Sequence, residues 1–182
     1  FIITGNFFFI IKVIFKSSKL NYIFKEHYLS FYDLIHTYKV IFRLKKFKKK
    51  YKKFNNIDLS EIIYEDIRDL RNFHALMLGI LNYKFVKNLK YEKNEIKKAF
   101  SWHENHELRG WNLGFRTFLP NVKTFGYQGF TTLPPLMNAI PTKYEEKFKV
   151  IPEILIVISK YYKKTIKEFN KKLTIKVGPA LI

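Results

Sequence analysis

The sequence predicts an α/β domain on a mostly parallel sheet, preceded by a basic N-terminal extension. Three observations carry that expectation. First, 182 residues (22.0 kDa) can bury a real core in one domain but not comfortably in two. Second, Ile154-Leu155-Ile156-Val157-Ile158 is an uninterrupted apolar run after Pro152. A strand buried on both faces of a parallel sheet reads this way, whereas a half-exposed strand alternates. Third, Tyr162, Ile166, Phe169 and Leu173 follow at helical spacing, with Lys163, Lys164, Lys167, Glu168, Lys171 and Lys172 opposite, and a second short strand starts at Ile175. Strand, helix and strand make a minimal βαβ unit, whose crossover is expected to be right-handed.

The earlier elements are read in order. Residues 1–54 form the extension, apolar and then basic, and residues 55–182 the α/β domain. Residues 1–15 are interrupted by Gly5, Asn6 and Lys12. They fall short of the roughly 20 apolar residues that span a bilayer. They also lack the charged leader and small-residue cleavage site of a signal peptide. The expectation is a strand or helix packed on the body, with a membrane or partner anchor as the alternative. The first residue is Phe1 rather than Met, so the chain is expected to be processed or a piece. Residues 45–53 read KKFKKKYKK, and a helix would align Phe47, Tyr51 and Phe54. Lysines interleaved with aromatics suit a nucleic-acid backbone and its bases. Lys45, Lys46, Lys48, Lys49, Lys50, Lys52 and Lys53 are the candidate phosphate contacts.

A helix is predicted over 56–83. Asp58 would cap it, Glu61 would complete a capping box, and Leu59, Ile62, Ile63, Ile67, Leu70, Phe73 and Met77 would form its apolar stripe. Gly79 would help end it, and His74 is read as a packed or edge residue. A short apolar run at 83–86 follows, then a helix over 92–100 with Ile96 and Phe100 inward. Residues 101–141 read as loop-rich, with one short strand at 107–111. His103 and His106 sit in HENHE, which is not HExxH and offers no third ligand, so no metal is expected.

Charge decides the class of partner. The 34 basic and 15 acidic residues give a net charge of +19, which repels itself unless an anionic partner neutralises it. Phe, Tyr, Ile, Asn and Lys, residues of A/T-rich codons, make up over half the chain, so mutational drift inflates the lysine count. There is no cysteine, hence no disulfide framework, zinc ribbon or thiol nucleophile. No glycine-rich phosphate loop and no nucleophile elbow occurs. The expected carboxyl ends of the strands lead into basic loops (Lys87 and Lys90, the 109–124 loop, Lys160), which suits a polyanion better than a small substrate.

Four segments, in order, resemble the S-two family of small-subunit ribosomal proteins, the bacterial and organellar type. Ile57-Asp58-Leu59-Ser60-Glu61-Ile62 resembles the start of the family's long helix. Phe85-Val86-Lys87-Asn88-Leu89-Lys90, followed by Glu95-Ile96-Lys97-Lys98-Ala99, is similar to its F-V-G-T-K strand end and the helix behind it. Arg109-Gly110-Trp111-Asn112-Leu113-Gly114 through Thr124 is similar to its R-W-L-G-G signature. Ile151-Pro152-Glu153, a strand, and Ile166 through Ile175 resemble its last block. A weaker hint lies at Ile35-His36. The pattern departs at Lys87 and Phe115, which stand where the family has glycines, and in a short Pro-rich stretch that replaces a helical hairpin.

The resemblance implies a flavodoxin-like three-layer domain, a structural rather than enzymatic role, and binding to small-subunit ribosomal RNA and neighbouring ribosomal proteins. A second chain completing the C-terminal part of the fold is a further expected partner. No cofactor and no small-molecule substrate are implied. The codon bias then favours the mitochondrial matrix. On the signature loop, Arg109, Arg116 and Lys123 would orient the protein on RNA, while Trp111 would either anchor the loop or stack on a base. The alternative reading is a peripheral subunit of a mitochondrial inner-membrane respiratory complex. An enzyme is the weakest reading, for want of any paired acid–base or nucleophile set.

Overall fold

The computed structural model describes residues 25–46, 56–91, 96–129 and 140–179. A 3-10 turn at Lys25–Tyr28 leads into helices α1 (Phe31–Lys45), α2 (Ser60–Arg68) and α3 (Leu70–Leu89). Strands and helices then alternate: β1 (Lys98–Trp102), α4 (Leu108–Phe118), β2 (Lys123–Gln128), α5 (Lys143–Lys147), β3 (Ile154–Val157), α6 (Lys160–Phe169) and β4 (Thr174–Val177). The chain is α/β. Its four-stranded, all-parallel sheet in the order β1-β2-β3-β4 is flanked by helices, consistent with a flavodoxin-like three-layer fold. Among the described residues no helix is long and apolar enough to cross a membrane.

Helix α1 starts at a capping box. The Ser30 hydroxyl accepts from the Asp33 N–H, and Asp33 accepts from the Ser30 N–H. The Asp33 carboxylate also accepts from Asn88 Nδ2 (3.2 Å) and lies 3.9 Å from Lys84 Nζ, which ties α1 to α3. Burial works to raise this carboxyl, but the bonds from Ser30 and Asn88 and the Lys84 charge outweigh it and hold the pKa below the usual value.

Four expectations change here. The helix over 56–83 is two helices, parted at Asp69, and the second runs through Gly79 and the 83–86 run to Leu89. The reason is that α3 is apolar on several sides, packed against α1, the 3-10 turn and α4, so its pattern is not that of a surface helix. Gly79 does not end it, and it is Gly110 of α4 that admits the close approach of the two helices, for a Cβ there would land on the Gly79 carbonyl. The second change is at 98–102, where the expected helix is a strand; Phe100, expected inward on that helix, is 63% exposed. The third is at 108–118, where the expected strand is a helix. Leu108, Trp111, Phe115 and Phe118 recur at helical spacing, and Phe115 is wholly buried. Strand β2, read as loop, pairs with β1 throughout its first five residues. The predicted βαβ unit at β3-α6-β4 is present as expected, with Ser159 capping α6.

In a parallel ladder, register partners point to the same side. Ser101, Gly126, Leu155 and Ile175 form a row on one face. That face carries the first and last of the three crossover helices: Phe115 of α4 packs in one core cluster with Ala99, and Ile166 of α6 in another with Leu155, Val157 and Ile175. Phe100, Phe125, Ile154 and Thr174 form a row on the opposite face, and Trp102, Tyr127, Ile156 and Lys176 a second.

Candidate nucleic-acid interface

Because all four strands are parallel, their amino ends share one edge of the sheet and their carboxyl ends the other. The amino edge is basic. Lys97 and Lys98 open β1, Lys123 opens β2, Lys149 precedes β3, and Lys171 and Lys172 precede β4; all six are exposed. Lys98 and Lys123 are register partners on adjacent strands, so two like charges stand side by side about 5 Å apart at the backbone. Such a pair is costly unless an anion lies across it.

Beside this edge, between α5 and the C-terminal end of α6, runs a groove of about 720 Å³. Arg116, Lys143, Lys147, Lys149, Lys171 and Lys172 line it, against Glu146 and Glu168. Tyr144 (62% exposed) and Phe169 (47%) offer ring surface among these cations. Cations flanking exposed rings are what a sugar–phosphate chain with splayed bases needs. The groove is built by local rules. Thr142 and Glu145 form a capping box that starts α5. Asn170 Oδ1 accepts from the Lys172 and Leu173 N–H groups and turns the chain from α6 into β4. Lys149 adopts a left-handed conformation, φ 59°, to close the turn after α5.

The sequence-based candidates divide. Lys123 lies on the amino edge, and Arg116 lines the groove while Nη1 donates to the Ile151 carbonyl (3.2 Å). Lys87 and Lys90 are exposed, but they follow a helix rather than a strand: Lys87 sits in the last turn of α3, where a cation complements the helix dipole. Lys45 closes α1 and Lys46 is exposed beside it, whereas Lys48, Lys49, Lys50, Lys52 and Lys53 lie outside the described residues. Arg109 and Trp111 are turned inward. Arg109 Nε donates to Glu145 Oε1 (3.0 Å) and Nη1 to the His103 carbonyl (2.8 Å). Burial lowers its pKa while Glu145 opposes the shift, and a guanidinium stays charged in either case. Trp111 stacks on Phe85 (5.6 Å, 19°) and meets Phe115 edge-on. Arg109 does not reach out toward RNA as the signature-loop reading expected, and of the two roles left open for Trp111 the packed one is seen. Lys97, Lys98, Lys149, Lys171 and Lys172 were not singled out as contacts from sequence; their shared signal is a lysine just ahead of each strand, visible only once β1 and β2 are assigned.

The carboxyl edge differs. Glu104 and Glu107 follow β1, Lys160 follows β3, and β2 ends on Gln128, whose buried amide has no hydrogen-bond partner among the described residues. His103 is buried and its N–H donates to the Tyr127 carbonyl (2.8 Å). His106 and Arg109 help wall an apolar pocket of about 410 Å³ between α3 and α4, with Leu76, Ile80 and Leu113. Among the described residues no three His, Asp or Glu side chains gather as a metal site.

Comparison with known proteins returns nothing: no family model matches the chain, and no curated protein and no solved structure is similar to it.

Proposed function

We propose that this chain is a structural constituent of a mitochondrial small ribosomal subunit. It holds ribosomal RNA by its backbone along the amino edge of the sheet and packs beside other ribosomal proteins. The observation that carries this reading is the Lys98–Lys123 register pair within a line of six exposed lysines that continues into a basic, aromatic-bearing groove. The line positions phosphates without reading bases, as expected of a scaffold rather than a sequence reader. No acid–base pair or activated nucleophile supplies a competing enzymatic reading in the described residues.

The sequence resemblance supports this in part. The Ile57-Asp58-Leu59 block leads into α2, though this helix has nine residues where the pattern has a long one, and the Ile151-Pro152-Glu153 block leads into β3 and α6, the elements that the family pattern calls for. The middle blocks do not: Phe85-Val86 lies within helix α3, where the pattern needs a strand end, and Arg109-Gly110-Trp111 lies within α4, where it needs a loop. Strand β1 followed by α4 is the strand–helix pair that this chain offers for that role.

The test is sedimentation of the native protein, followed by binding of the purified full chain to small-subunit ribosomal RNA across a salt series. Co-sedimentation with small-subunit particles and affinity falling steeply with salt are the expected results. Migration with a detergent-solubilised membrane complex, or salt-independent binding, would overturn the reading.

A further inference from the structure

Helices α3 and α4 cross at Gly79 and Gly110. A Cβ on Gly110 would land on the Gly79 carbonyl, so the crossing needs glycine at 110. It makes no such demand at 79. A Cβ on Gly79 would meet only the Glu107 carbonyl, at an ordinary 3.7 Å, and the φ of Gly79 is not positive. Glycine in the interior of a helix destabilises it relative to alanine. Helix α3 therefore carries a disfavoured residue where a side chain has room. That room adjoins the pocket of about 410 Å³ that Gly79 and Gly110 help to line. The rest of its wall is mostly apolar, with Leu76, Ile80, Tyr83, Leu113 and Val150. Leu76 (38% exposed) and the exposed His106 leave it open to solvent.

One polar group in this wall is incomplete. Arg109 Nε donates to Glu145 and Nη1 to the His103 carbonyl, but the buried Nη2 has no hydrogen-bond partner among the described residues. A buried N–H without an acceptor is unfavourable, and more so on a charged group. What completes it is an acceptor oxygen, and the surroundings favour a neutral one. Glu145 lies 3.0 Å from Arg109, and the charges of Glu104 and Glu107 also act on it. Carboxylates thus already answer the guanidinium. His106 adds no second cation at neutral pH, because loss of water and the Arg109 charge hold its pKa below 6.5. A further anion would meet net negative surroundings.

We infer that this pocket binds a small, neutral, largely apolar molecule bearing a carbonyl oxygen, which accepts from Arg109 Nη2. Mostly apolar walls with a few placed polar groups, in a volume of roughly 300–1,000 Å³, are the usual make-up of a small-molecule site. A polypeptide fits less well, since each of its carbonyls comes with an N–H that needs an acceptor of its own. The pocket shares no residue with the lysine line of the amino edge or with the basic groove, so this site stands apart from the RNA reading.

The test is fluorescence titration of the full-length chain with acedan, a neutral naphthyl ketone whose emission moves to the blue in apolar surroundings. Two analogues are titrated beside it, one with the carbonyl reduced to a methylene and one with a carboxylate in its place. A blue shift is expected, with acedan bound at least about tenfold more tightly than either analogue, the scale of one hydrogen bond from a charged donor. Equal affinity for the methylene analogue would remove Arg109 from the site, and tighter binding of the carboxylate would make the ligand an anion. Either result overturns the proposal, as does failure of all three to bind. Gly79→Leu places a side chain in the pocket and should weaken acedan at least about tenfold, with an unchanged far-ultraviolet circular dichroism spectrum. Undiminished binding by the folded variant would put the probe elsewhere and sink the site. Gly79→Ala adds a methyl group that has room, so its urea midpoint should rise. A fall would show that the crossing itself needs glycine at 79 and that the pocket is a by-product of packing. Should Gly79→Leu fail to fold, the three-probe comparison on the parent chain still decides.

Discussion

The two edges of the sheet are opposites. At the amino edge six lysines and Glu153 are the charges at the strand starts. At the carboxyl edge two glutamates and Lys160 follow the strand ends. Open parallel sheets ordinarily place ligands beyond their carboxyl ends, where helix N-termini favour anions. Here part of that edge's polar groups serve the fold: Ser159 caps α6, and the His103 carbonyl and Glu145 hold Arg109, while the buried Gln128 amide at the end of β2 has no hydrogen-bond partner among the described residues. The amino edge has exposed cations. The difference teaches that exposed charge, rather than fold convention, marks the face proposed to meet a polyanion. Helix dipoles alone do not explain it, since they are worth only about 0.3–1 kcal/mol for an exposed cation at a helix end.

The sharpest way to break this contrast is to neutralise each edge separately. Replacing Lys97, Lys98, Lys123, Lys171 and Lys172 by glutamine should weaken RNA binding on the order of a hundredfold or more at physiological salt. The slope of log affinity against log salt should flatten by about 0.7 to 0.9 for each lysine in contact. Glu104→Gln with Glu107→Gln at the other edge should leave that slope unchanged. Equal losses from both edges, read by filter binding, would erase the distinction.

Arg109→Ala tests the same contrast from the folding side. It removes the cation beside Glu145 and opens the link between α4 and α5, at a cost of about 2–3 kcal/mol, below the range for a fully buried pair because Glu145 keeps some solvent and its capping-box bonds from Thr142. Urea denaturation should register the loss while the salt slope of RNA binding at full folding stays put. A flattened slope with intact stability would return Arg109 to the RNA.

Legibility of the sequence followed local autonomy. The β3-α6-β4 unit was readable because its run, its cap and its stripe lie in one stretch and point to the same answer. Helix α3 was not, since an element packed on several sides loses the one-sided pattern that reveals an amphipathic helix. Strand β1 was misread because Lys97-Lys98-Ala99 reads equally well as the end of a helix, and only pairing with β2 decides. That error propagated to the site. With β1 and β2 unplaced, Lys98 and Lys123 are 25 residues apart and nothing brings them together, whereas the ladder makes them neighbours. Arg109 failed for the converse reason, because residue type alone suggests RNA while burial decides for the fold, and burial likewise settles Trp111 on the packed one of its two open roles.

Lys149 sharpens the contrast within one residue, since it serves the amino edge yet carries backbone strain. Its left-handed φ of 59° costs an L-residue about 1 kcal/mol and costs glycine far less. Lys149→Gly should raise stability by up to about 1 kcal/mol and still weaken RNA binding. Lys149→Ala should weaken RNA binding equally and gain no stability. If both variants bind RNA like the parent, this lysine leaves the contact list.

The smallest effect belongs to the carboxyl edge. His106 is open to solvent on one side and walls the apolar pocket on the other. Loss of water comes first in lowering its pKa below 6.5 and the Arg109 charge adds to it, while Glu145 and Glu107 pull the other way. The unfolded chain therefore takes up a proton at a higher pH than the folded one. Stability from this group is fully present above the unfolded value and declines as pH falls from about 6.5 through the lower folded pKa. His106→Gln cannot take up that proton, so urea midpoints measured from neutral pH downward should fall less steeply for the variant than for the parent. Parallel curves would mean that the ring titrates alike in both states, and the carboxyl edge would then lose its claim to having turned its ionisable groups toward the fold.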